Sequence, residues 1–127
     1  MSAQTGHSYT KEHQLSGEAL LFDLNEQAGL LLAEAREANI RHAGRTLVKE
    51  GPLRLTLVGF AAGGSLREHK AGGPVSIEVL IGEVEVKVGD GTQKLSERQT
   101  LVLDAKVTHS LTAAGEAVIL LTIGMQA

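Results

Sequence analysis

The sequence predicts an all-β fold, an antiparallel sandwich or barrel carrying one short N-terminal helix. Three observations predict it. From Thr46 onward apolar residues recur with a period of two, as in Leu53, Leu55 and Leu57 or in Val75, Ile77, Val79 and Ile81, and that period sets them on one face of a strand. Turn signals interrupt these runs at short intervals, at Glu50-Gly51-Pro52, at Gly82 and at Asp90-Gly91, the punctuation of an all-β domain. Finally, 43% of the residues are hydrophobic but only 2% are aromatic. The core is therefore Val, Leu, Ile and Ala, a composition suited to close-packed strands.

Taken in order, residues 1–16 are polar and without apolar periodicity, which reads as a mobile tail, with His7 and His13 solvated. Residues 17–127 form a single domain, a length that buries a core without staples. Ala19–Leu24 is expected as a first strand. Asn25 then serves as an N-cap for a short amphipathic helix over about residues 26–38, with Glu26 in its first turn. Leu24, Ala28, Leu31, Leu32 and Ala35 recur at helical spacing, although Gly29 costs the helix roughly 1 kcal/mol relative to alanine.

Strands are expected at Thr46–Lys49, Leu53–Val58 and Val75–Ile81, and again beyond Gly82 on the alternation of Val84, Val86 and Val88. Asp90-Gly91 marks a hairpin. Shorter strands follow at Thr92–Leu95, Thr100–Asp104 and Thr108–Thr112. The last, Ala117–Ile123, is apolar at nearly every position and so is buried on both faces. Ala61–Leu66, with Gly63-Gly64, reads as a loop. The pattern by itself is equally compatible with an immunoglobulin-like sandwich, a lipocalin-like barrel and a jelly roll.

Composition excludes several functions. There is no cysteine, hence no disulfide, iron–sulfur cluster or thiol nucleophile. The net charge is −3, with both signs interspersed and few aromatic residues for base stacking, which argues against a nucleic-acid partner. No apolar run approaches the ~18–20 residues needed to span a membrane, and the polar N-terminus lacks the core of a signal peptide. A cytoplasmic location is expected. Nor is there an HExxH or a Walker A motif. Gly89–Gly91 lies between strands with no helix after it, so it is a turn and not a phosphate loop.

One stretch carries the candidate chemistry. Leu66-Arg67-Glu68-His69-Lys70-Ala71-Gly72-Gly73-Pro74-Val75, running through to Gly82, resembles the first motif of the cupin superfamily: a glycine-bearing loop, His-x-His, then Glu, then a strand ending in glycine. The segment Leu101–Ala113 is similar to the second motif, with Asp104-Ala105-Lys106 at its turn and His109 at its histidine. The two motifs span roughly residues 63–113. The resemblance implies an antiparallel jelly-roll β-barrel of two packed sheets, often a homodimer, with a pocket inside the barrel. It also implies, in metal-binding members, three histidines and a glutamate. Here Ala71 stands at the second histidine and Val75 at the glutamate, leaving His69 and His109 as the candidate ligands.

A catalytic transition metal generally takes at least three protein ligands, and no replacement is evident. Strand parity turns Glu78 away from Val75, and alternation with Val84 and Val86 turns Glu83 and Glu85 outward. His69 and His109 are thus read as pocket groups, with Ala71, Val75, Ile77, Val79 and Leu111 as the apolar lining. His42 is read as a surface residue, and Arg41, Arg45, Arg54 and Arg67, scattered along the chain, as solvated.

The leading expectation is a small-molecule-binding cupin of unassigned ligand without a complete metal site and with no cofactor. An imidazole titrates close to neutrality and can give or take a proton. The alternative is a metal-dependent enzyme of dioxygenase or isomerase type, in which His69 and His109 share a divalent transition metal with a further ligand. A third reading is a structural dimeric module whose pocket has closed.

Overall fold

The computed structural model describes residues 19–125; the expected tail, with His7 and His13, lies outside the described residues. The elements are α1 (Leu24–Glu37), β1 (His42–Glu50), β2 (Leu53–Phe60), β3 (Ser65–His69), β4 (Val75–Ile81), β5 (Glu83–Val88), β6 (Gly91–Ser96), β7 (Thr100–Leu103), β8 (His109–Thr112) and β9 (Ala117–Gly124). They form a five-stranded sheet in the order β1-β2-β9-β4-β7 and a four-stranded sheet in the order β3-β8-β5-β6. All seven strand pairings are antiparallel. The two sheets face each other over an aliphatic core in a jelly-roll arrangement.

Parity builds that core. Val75, Ile77 and Val79 of β4, Ala117 and Ile119 of β9, and Val58 and Phe60 of β2 point inward from the larger sheet. Val84, Val86, Leu95 and Leu111 meet them from the smaller one. The opposite face of the larger sheet is also buried at β2 and β9, where Leu57 and Val118 lie under Ala28, Leu31 and Leu32 of α1. The expected two-sided burial of the last strand follows: β9 sits in the middle of its sheet with core on one side and helix on the other. The helix comes so close that a Cβ on Gly59 would lie 3.0 Å from Leu31 Cβ.

Three local expectations differ from what is observed. The helix starts at Leu24 and is capped by Asp23, whose Oδ1 accepts from the Glu26 amide at 3.2 Å, not by Asn25. Residues 19–23 form no strand; Leu20 and Phe22 instead pack against the helix-side cluster, which satisfies their apolar side chains without a ladder. The hairpin pairs Val88 with Gly91, so its two loop residues are Gly89 and Asp90. Gly89 takes φ +59° and supplies the positive φ that a two-residue hairpin requires at its first central position.

Gly82 joins the sheets. Its φ of +78° is a glycine conformation, and a Cβ there would sit 2.2 Å from the Glu116 carbonyl oxygen. Both facts exclude any other residue from the link between β4 and β5.

Arg45, expected in solvent, is only 7% exposed. It projects from β1 beneath the helix, where its guanidinium donates to Gln27 Oε1 at 3.0 Å and pairs with Glu34 Oε2. Gln27 is itself 1% exposed. A buried cation is costly unless its donors are satisfied, so these two helix residues fix where α1 can sit. Replacing Gln27 by leucine removes one acceptor from the buried guanidinium. We expect Gln27→Leu to destabilise the protein by about 1–3 kcal/mol in urea or guanidinium unfolding; an unchanged midpoint would show that water reaches Arg45.

Candidate functional site

The smaller sheet brings the two candidate histidines side by side. Along the β3–β8 ladder Ser65 pairs with Thr112 and Leu66 with Leu111; the ladder then slips, and His69 pairs with His109. Two residues of β3, Arg67 and Glu68, therefore oppose the single Ser110. This is a β-bulge, which carries one extra residue and re-aims the strand. In an unbroken ladder Glu68 would stand opposite His109. The bulge exchanges it for His69.

The bulge also explains why the sequence reads as loop here: it interrupts the period-two alternation, so β3 is invisible to a pattern search. His69 therefore ends a strand rather than lying in a loop.

The imidazole rings lie 4.4 Å apart between centroids, tilted by 57°. Their environments differ: His109 is 2% exposed, whereas His69 is open to solvent. Each ring is held in the same way. His69 Nδ1 is 2.8 Å from the Arg67 carbonyl oxygen, and His109 Nδ1 is 3.0 Å from that of Val107. A carbonyl oxygen only accepts, so in the neutral rings the proton is assigned to Nδ1 and both Nε2 atoms are left as acceptors.

The orienting group is in each case the backbone carbonyl two residues earlier, which no side-chain identity encodes.

The topology sets the other candidate residues around this pair. Val75 pairs with Leu103 and Ile123, and the chain turns from Leu103 directly to His109, so Val75 belongs to the histidine end. Ala71 and Val107 are half-buried there and pack on the core, as do Val88 and Ile123. Leu111 is buried next to His109 along β8. Ile77 and Val79 run deeper, toward Gly82, as fully buried core. Glu78 pairs with Leu120, a residue of the helix-side cluster, so it faces away from the barrel interior.

His42, read as a surface residue, lies instead in β1 opposite Phe60, with ring centroids 6.2 Å apart and a buried Nδ1 that has no hydrogen-bond partner. It pairs at the Ala117 end of the barrel, remote along the strands from His69.

Do these residues fit a metal? Both imidazoles are oriented as metal ligands commonly are, with the second nitrogen donating to a carbonyl. The donor set, however, is short: among the described residues no group of three His, Cys, Asp or Glu side chains could hold a metal ion. Two imidazoles alone do not make the three-ligand site of a catalytic metal.

A separate cavity of about 570 Å³ opens at the other end, lined by Gly82, Glu83, Glu85, Lys94, Ala113 and Glu116 among others. It holds no imidazole. One of its carboxylates is already engaged: Arg36, in the last turn of α1, donates to Glu116 through Nε at 2.6 Å and Nη2 at 2.8 Å. The histidine end sets two imidazoles side by side next to the half-buried Ala71 and Val107.

Neither a protein-family model nor a curated protein matches the sequence. Solved structures do. A conserved protein of unknown function from Streptococcus pyogenes is 26% identical with a TM-score of 0.65, over 71% of this chain and 79% of that one. A cupin superfamily protein from Desulfitobacterium hafniense is 21% identical with a TM-score of 0.65, over 72% and 87%. A salicylate 1,2-dioxygenase from Pseudaminobacter salicylatoxidans has a TM-score of 0.69 at 18% identity, over 78% of this chain and 33% of its own. The two-sheet jelly roll and these similarities, which extend to further RmlC-like cupins, show that this chain has the cupin fold.

The Arg36–Glu116 pair yields a pH prediction. The hydrogen bonds from Arg36 hold the Glu116 carboxyl below its ordinary value, and those to Glu116 raise the guanidinium. A lowered folded-state carboxyl contributes stability above its unfolded pKa and loses it as pH falls through the folded value. We expect Glu116→Gln to melt below wild type at neutral pH. The gap should close as the pH drops through the carboxylate range. A gap that persists in acid would assign the effect to packing.

Proposed function

We propose that this protein is a small-molecule-binding cupin whose His69 and His109 present a pair of Nε2 acceptors to a hydroxyl- or amine-bearing ligand, without a complete metal site. One observation carries the reading: both Nδ1 atoms are occupied by backbone carbonyls, so the two free nitrogens are fixed as acceptors before anything binds. Ligand orientation is then set by the rings, while Ala71, Val75 and Leu111 supply apolar contact and exclude water. Pre-organisation of this kind lowers the cost of binding, because no rotamer has to be frozen on association.

The metal-dependent reading draws on the same tautomers and on the likeness to a dioxygenase, a protein under 25% identical whose fold alone is shared. It requires a third ligand that the described residues do not offer.

The two readings part in one experiment. Purified protein, prepared without added metal or chelator, is analysed for Fe, Mn, Ni, Cu and Zn, and its imidazole nitrogens are followed by ¹⁵N NMR. The proposal expects sub-stoichiometric metal and both rings as the Nδ1–H tautomer. Near-stoichiometric metal that is lost in His69→Ala or His109→Ala would replace it with the metal-dependent reading.

The protein is further proposed to act as a homodimer in the cytoplasm. The described residues contain no helix long and apolar enough to cross a membrane. Sedimentation equilibrium returning the mass of a single chain would remove the dimer.

A further inference from the structure

The connection from β3 to β4 joins His69 to Val75 and carries Ala71, whose side chain packs on the core. Among the described residues no backbone hydrogen bond reaches Ala71, Gly72 or Gly73. The nearest tie is at Pro74, whose carbonyl oxygen accepts from the Gly124 amide at 3.1 Å. A loop with so few bonds of its own keeps one conformation only where packing holds it.

That packing comes from the end of β9. Beyond Ile123, which pairs with Val75, the chain runs on across the loop, and the Met125 amide donates to the Pro52 carbonyl oxygen at 2.6 Å. A Cβ on Gly73 would overlap the Gly124 carbonyl group, so the two backbones touch there. A Cβ on Gly72 would lie 2.7 Å from Met125 Cε and 3.3 Å from its Sδ. The thioether therefore rests directly on the Gly72 backbone. Met125 lies outside both hydrophobic clusters and is half-buried. What its side chain covers is the loop.

We infer that Met125 is a clasp that holds the β3–β4 loop at the histidine end, and that oxidation of its sulfur releases it. The co-reactant is a hydroperoxide. The sulfur lone pair takes one oxygen of hydrogen peroxide, the O–O bond breaks, and the remaining oxygen and both protons leave as water. The thioether is oxidised by two electrons to a sulfoxide, and the peroxide is reduced by two. Half-burial leaves the sulfur within reach of so small a reagent. The sulfoxide is polar where the apolar thioether met Gly72, and a side chain as flexible as methionine turns it to solvent. The loop then loses its packing, and Ala71 its fixed position. The inference rests on the reading of His69 and His109 as a ligand site.

The test uses the full chain as wild type, Met125→Leu and Met125→Ala, with and without hydrogen peroxide. Peptide mass analysis locates the added oxygen, and ¹⁵N relaxation reports the order of Ala71 and Gly73. Imidazole ¹⁵N signals are read on the same samples. Met1, the other methionine, is present in all three forms and so serves as the internal control. Order parameters in wild type are expected near about 0.85, falling below about 0.6 once Met125 is oxidised, and recovering after methionine sulfoxide reductase treatment. The His69 signals should shift with oxidation while those of His42 stay. Met125→Ala should loosen the loop without peroxide. Met125→Leu, a swap that conserves volume, should keep it ordered before and after.

A loop that stays ordered when Met125 is oxidised or cut back to alanine overturns the inference and leaves the histidine site standing. So does a loop already loose in untreated wild type, loosening that leaves the His69 signals in place, or equal loosening of Met125→Leu by peroxide. Rings other than the Nδ1–H tautomer in untreated wild type overturn the acceptor reading, and this inference with it.

Discussion

The structure depends on one constraint, that the larger sheet is buried on both faces along β2 and β9. The inner face meets the smaller sheet, and the outer face of these strands lies under α1. The central strand β9 consequently alternates between two cores, Ala117 and Ile119 toward the barrel and Val118 and Leu120 toward the helix. A one-residue slip of such a strand would exchange one apolar set for another, so hydrophobic pattern alone does not fix its register. The register is held from outside the strand. Gly82 admits the Glu116 backbone at a distance that no Cβ would permit, the Arg36–Glu116 pair fastens the helix end to the β8–β9 connection, and Arg45 draws Gln27 onto β1. Each of these contacts tolerates a single alignment of helix on sheet, which an aliphatic surface by itself does not specify.

That division explains what was legible in the residues. Strands β2, β4, β5 and β9 announce themselves by alternation or by unbroken apolarity, and the helix by the spacing of Ala28, Leu31, Leu32 and Ala35. What escaped was everything decided by a nonlocal partner. Arg45 looks like any surface arginine until β1 is placed beneath α1. Ala19–Asp23 has the composition of a strand but finds a hydrophobic cluster before it finds an edge to pair with. His42 follows a loop in the sequence yet stands opposite Phe60 in the sheet. The helix start moved by two residues because Asp23 and Asn25 are both competent caps, and Leu24, apolar and packed on the helix-side cluster, falls inside the helix when Asp23 is used.

The candidate site was legible in its residues and illegible in its geometry. The resemblance to the cupin motifs drew attention to His69 and His109 and to Ala71 and Val75 at the two remaining ligand positions. It gave no sign of the bulge that sets His69, in place of Glu68, opposite His109. A bulge is one extra residue in a ladder, visible only when the partner strand's count is known. The carbonyls of Arg67 and Val107 were equally hidden, since every residue carries one. The orientation of the rings therefore comes from the backbone of the fold, not from the side chains at positions 71 and 75.

This last point bears on how a site with two imidazoles should be understood. Had the rings been kept only as packing, a buried His109 would need its Nδ1 satisfied but would have no use for a second histidine registered beside it, still less for a bulge that displaces a carboxylate to put it there. A carboxylate at that position would pair with His109 and close the site upon itself, since a charged acceptor would compete with the Val107 carbonyl for the imidazole proton. An imidazole with its own Nδ1 occupied offers His109 nothing to pair with. Both acceptors remain available to a third party. The arrangement is poor as an internal contact, and this asymmetry supports the proposed ligand more than the number of histidines does.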